Sequence, residues 1–162
     1  MRRLRPTYRN LALTLIATII IQSACGGSTF AGQLRLVLAA SGPLINSLPL
    51  SSTLKTGLVT DFTDMAGDAA TLSDCLKTAA DKPTKLICVQ SFGAEVEAVI
   101  ARGHFGDANS PRLQQILGLI HGIIASAKIY YGAPSARASS KPVTEATIKA
   151  QIDELKRAME VK

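Results

Sequence analysis

The sequence predicts an all-α fold, a small bundle of four to five helices. Three observations carry that expectation. Apolar residues recur at alternating steps of three and four, most cleanly at Leu58, Phe62, Met65, Ala69, Leu72 and Leu76, which places them on one side of a helix. The periodic stretches are interrupted at Gly42-Pro43, Asp81-Lys82-Pro83 and Ser110-Pro111, where proline removes an amide and crowds the preceding turn. No run alternates apolar and polar residues as a half-buried strand does.

The elements follow in chain order. Ala31 to Leu38 is a short amphipathic run with Leu34, Val37 and Leu38 on one face. Gly42-Pro43 breaks it, and Pro43 can open a second short turn through Leu44, Ile45 and Leu48. Pro49 to Thr53 reads as a connection, and Leu58 to Ala80 as the first long helix. Thr84 is the expected cap of the next helix, whose Val89, Phe92, Val96, Val99 and Ile100 share a face. Gly103 and the Gly106-Asp107-Ala108-Asn109 turn end that helix. Ser110-Pro111 predicts another start, by a capping hydroxyl followed by a proline. Residues 111–131 are apolar nearly all round, so this helix is expected at the centre. A polar linker, 132–143, separates the helical domain 31–131 from a final amphipathic helix over 144–162. Thr144 caps that helix, and Ile148, Ile152, Leu155 and Met159 form its narrow stripe.

Ahead of the domain, Arg2, Arg3, Arg5 and Arg9 precede an uncharged apolar run from Leu11 to Ile21, then small residues leading to Cys25. That order is the build of an export signal. As a helix the run falls well short of a bilayer core of roughly 30 Å, so the expectation is a signal peptide over 1–24. The ending Gln22-Ser23-Ala24-Cys25-Gly26 resembles the lipobox of bacterial lipoproteins, with Ser23 and Ala24 at its small positions and Gln22 departing from its pattern. The resemblance covers residues 1–25 and implies a lipid on Cys25, a short tether over 25–30, and a membrane-anchored place in the cell envelope, facing the periplasm or the exterior. Ordinary signal-peptidase cleavage is the alternative. Small residues in Thr29-Phe30-Ala31 or Ala24-Cys25-Gly26 suit it, and the product would be secreted or soluble in the periplasm.

Charge changes meaning once the signal is set aside. The 162-residue chain carries +6, but removing the four signal arginines from 18 Lys+Arg leaves 14 against 12 Asp+Glu, or +2. With no basic cluster, no Trp and few aromatics to stack on bases, nucleic acid is not an expected partner. If Cys25 is lipidated, Cys75 and Cys88 remain. An even pair in an exported chain, on either side of a tight turn, predicts one disulfide.

Candidate chemistry is sparse. Asp61, Asp64, Asp68 and Asp74 read as a solvated flank, since one straight helix cannot wrap a cation. His104 and His121 lack an acidic or thiol partner nearby in sequence. No glycine-rich phosphate loop, GxSxG or HExxH occurs, so no catalytic residue, metal ligand or cofactor is expected. Gly118, Gly122 and Ser126, four residues apart, predict a close helix–helix approach. The leading expectation is an envelope protein with a binding or scaffolding role, its last helix being the candidate partner-binding piece. The alternatives are a membrane-active protein inserting residues 111–131, or an envelope enzyme with His104 or His121 beside a carboxylate.

Overall fold

The computed structural model describes residues 29–132 and 142–160. The export segment with Cys25 and residues 133–141 of the expected linker lie outside the described residues. Among those described there is no strand. Five long helices make the frame: α1 (Phe30–Ala39), α3 (Ser52–Thr78), α4 (Lys82–Arg102), α6 (Pro111–Tyr131) and α7 (Glu145–Met159). Two short ones, α2 (Gly42–Ser47) and α5 (Phe105–Ala108), sit at corners.

The helix boundaries follow from caps, and some differ from expectation. Thr29 accepts the amide of Gly32, and α1 begins at Phe30. Ser51 accepts the amide of Leu54 and starts α3 two turns before its apolar stripe does. Thr84 is not the cap of α4. Asp81 takes that role, its Oδ1 accepting the Thr84 amide at 2.7 Å. Pro83 has no amide to lose in a first turn, so the helix encloses the proline instead of starting after it. Ser110 makes no side-chain cap bond, and only Pro111 marks the start of α6. Thr144 and Thr147 form a reciprocal capping box at α7. The expected turn at Gly106 to Asn109 is the single helical turn α5, closed by Asn109 in the left-handed region at φ 35°.

The long helices pack neighbour to neighbour as α1–α3–α4–α6–α7, and α7 returns to α1. Their directions can be read from cross-helix contacts. Thr29 meets Ser73 at 2.8 Å, Arg102 meets Asp64 at 3.4 Å, His121 meets Glu97 at 2.9 Å, and Arg112 donates to the Ala158 carbonyl. Thr29–Ser73 and Arg112–Ala158 each set the start of one helix against the end of its neighbour. Along α3–α4, Cys75 lies by Cys88 and Asp64 by Arg102, and along α4–α6, Gly93 lies by Lys128 and Glu97 by His121. Residue numbers rise on one helix as they fall on the other, so these four pairings are antiparallel. Five helices cannot alternate all the way round a ring, so one neighbouring pair must be parallel. That pair is α1 and α7.

The core is one cluster of aliphatic residues and phenylalanines from every helix. The predicted stripe of α3 is buried throughout, as are Leu117, Ile120 and Ile124 of α6. Phe105 of the one-turn α5 is also buried, edge-on to Phe62 with ring centroids 5.3 Å apart. Ile148, Ile152, Leu155 and Met159 of α7 lie in the same cluster, so the face that α7 shows to solvent is its charged one. The close approach expected at Gly118 and Gly122 does not occur. A Cβ on Gly118 would meet nothing within 4 Å, and one on Gly122 only Gln151 at 3.9 Å. The tight contact lies on the opposite partner, where Gly93 of α4 admits Ile124 and the stem of Lys128.

Candidate functional site

Cys75 near the end of α3 and Cys88 near the start of α4 are joined in a disulfide, with Cα atoms 6.0 Å apart. The Asp81 cap and Pro83 fold the chain back on itself, which brings the two sulfurs together. Cys88 is buried and Cys75 partly so, so the bond works as a staple on an antiparallel helix pair.

Both histidines have carboxylate partners that sequence spacing did not reveal. His104 stands between α4 and α5, and Asp61 on α3 is 6% exposed. Asp61 Oδ2 accepts the backbone amide of His104 at 2.7 Å and lies 3.2 Å from its Nδ1. The imidazole rests on Gly57, where a Cβ would come within 2.5 Å of the ring, and Gly103 leaves room for the Asp61 carboxylate in the same way. This corrects the reading of Asp61 as part of a solvated flank. It is a buried acceptor joining α3 to the α4–α5 corner. His121 Nε2 lies 2.9 Å from Glu97 but without hydrogen-bond alignment, and the nitrogen is itself enclosed although both side chains are partly exposed.

The other aspartates do remain nearer to solvent. Asp64 pairs with Arg102 and Asp74 with Lys77. Partial burial holds the Asp68 carboxyl above its ordinary range. The negative charges of Glu95 and Asp64 push the same way, and Arg102 pulls it back. Among the described residues no group of three or more His, Cys, Asp or Glu side chains is placed to hold a metal ion.

An open feature follows the seam of the parallel pair. A hollow of about 520 Å³ runs between α1 and α7, with Leu36, Val37, Ile152 and Met159 as its apolar lining and Lys149, Asp153, Lys156 and Glu160 along its rim. A second hollow of about 300 Å³ continues it towards Phe30 and shares Gln33 and Lys149 with it. The combined groove has the size and mixed lining of ligand sites, which are mostly apolar with a few polar groups. Leu36 stands 58% exposed at its edge. Neither hollow is lined by His104 or His121.

Fold and surface together define a disulfide-tied bundle of five long helices with an open seam between α1 and α7. The chain matches no known family model, no curated protein and no solved structure.

The sequence could not have shown the seam, because it depends on how the ring closes. The Asp61–His104 contact joins residues 43 apart. Its one local trace was Gly57, a glycine four residues ahead of Asp61 inside a long helix, where a flat group could settle.

Proposed function

We propose that the chain is an exported helical protein of the cell envelope, held at the membrane by a lipid on Cys25, that binds or scaffolds a partner and does not catalyse a reaction. The observation that carries this reading is the Cys75–Cys88 bond. Such bonds persist in oxidising compartments, which agrees with the export pattern of residues 1–25. The groove supports the binding half of the reading. It lies along α1, which starts at Phe30 with only Gly26 to Thr29 between it and Cys25. So short a tether keeps the groove beside the membrane surface. Labelling cells with a fatty-acid analogue tests the anchor. The wild-type chain should take up label and Cys25→Ser should lose it; label retained in the variant defeats the lipid reading.

The Asp61–His104 pair favours a second reading, an envelope enzyme. A carboxylate that holds Nδ1 orients the imidazole, as in catalytic histidine–carboxylate pairs. The Nε2 side of a half-exposed ring then remains for proton transfer. A hydrolytic activity lost in His104→Ala supports this reading, and its persistence in the variant rules it out.

A further inference from the structure

We propose that the groove between α1 and α7 is covered by a second copy of this chain, in a two-fold dimer whose α7 helices lie antiparallel. The proposal rests on the reading of the groove as a binding surface and names its occupant.

The rim of α7 carries the argument. Lys149, Asp153, Lys156 and Glu160 are all exposed and all border the groove. Their signs run plus, minus, plus, minus along one edge. A two-fold axis opposite the point between Glu154 and Leu155 sets Lys149 against the partner's Glu160 and Asp153 against the partner's Lys156. All the pairings are then of opposite sign, whereas a parallel register sets like against like. The same order of charges would also suit pairs within one helix. No ion pair within 4.0 Å, however, joins any of the four to a described residue. Their charges are left for a partner.

The apolar side of the seam fits the same axis. Gln33 lies level with Lys149, since both border the two hollows. With α1 and α7 parallel and rising equally per residue, Leu36 and Val37 fall near the middle of α7, close to the axis. The exposed Leu36 would sit beside its counterpart, giving an apolar centre ringed by charge pairs, the usual anatomy of an interface. A surface that carries both the crest and the hollow is self-complementary, as a two-fold contact requires. A contact confined to a 10-residue and a 15-residue helix is expected to bury less than the roughly 800 Å² per partner of standard complexes, so the expected dimer is weak, with Kd on the order of micromolar.

Sedimentation equilibrium of the full chain in density-matched detergent tests this. The wild type should show a monomer–dimer equilibrium. Asp153→Lys places like charges opposite each other twice, by symmetry, and should weaken the dimer about tenfold or more. Adding Lys156→Glu restores opposite signs across the axis and should recover the affinity to within about threefold. Pairing within the helix predicts no such rescue, because the double variant puts like charges at 149 and 153 and at 156 and 160. Leu36→Glu gives an independent arm, expected to weaken the dimer while the thermal midpoint stays put. A monomer at all concentrations overturns the proposal. So does a dimer indifferent to Asp153→Lys, or a monomer found by native mass spectrometry with lipid in the groove. Fatty-acid labelling is read separately, so loss of the dimer with Cys25 still labelled defeats the dimer alone.

Discussion

A single carboxylate oxygen, Oδ2 of Asp61, serves both the backbone amide and the imidazole of His104. The contact pins the corner where α4 ends and α5 begins onto the middle of the long helix α3. Because Asp61 is nearly enclosed, its bonds hold polar groups that water would not fully serve if the carboxylate were removed.

Asp61→Ala is therefore expected to lower unfolding free energy by about 1–3 kcal/mol, the cost of leaving a buried donor without its acceptor. Asp61→Asn retains an acceptor oxygen and should cost less. Denaturant titration with a fixed m-value checks both, and equal losses would show that shape rather than hydrogen bonding governs the corner.

Glycines separate by what lies above them. Gly67 and Gly118 are helical with nothing within 4 Å of a new Cβ, so alanine at either should stabilise by up to about 1 kcal/mol through helix propensity. Gly57→Ala brings the same helical gain but drives the His104 ring off its seat. Losing a hydrogen bond of about 0.5–1.5 kcal/mol should cancel it. Thermal melts compare the three, and an NMR shift of the His104 ring protons in Gly57→Ala alone confirms where the strain falls.

The Cys75–Cys88 bond closes a short loop, with a sequence separation of 13. Chain-entropy reasoning gives about 3 kcal/mol for a loop of this size. Cys75→Ser/Cys88→Ser should lose about that much in guanidinium unfolding, and reductant should then have no further effect on the variant. A reductant-sensitive variant would contradict this assignment.

Much of the architecture was legible because helix periodicity is local. The stripe of α3, the Thr144 cap and the cysteine pair each lie within a few turns of chain. Cap assignment went astray at Thr84 and Ser110 because several residues near a proline can offer an oxygen, and only backbone angles choose among them. Gly118 and Gly122 misled because small residues permit close approach without compelling it. Asp61 with His104 and the α1–α7 seam escaped for a different reason. The first joins residues 43 apart across the α3–α4 pair and the second depends on ring closure, and neither leaves a spacing to read.

The charge near the α3–α4 face gives a pH prediction. The folded-state pKa of Asp68 lies above its ordinary value of 3.8, so the folded chain holds this proton longer than the unfolded one. Stability is then lost as pH rises from about 3.8 through the folded pKa. Asp68→Asn should raise the thermal midpoint at pH 7 and leave it nearly unchanged at pH 3. An equal effect at both pH values would assign the gain to packing instead.

The central claim is an exported, lipid-anchored, oxidised bundle, and the intact mass of the protein recovered from membranes tests all three parts at once. The expected mass is that of a chain beginning at Cys25, increased by acyl groups and lowered by the two hydrogens lost in joining Cys75 to Cys88. An unprocessed chain, a first residue beyond Gly26, or a mass with both thiols intact would contradict it.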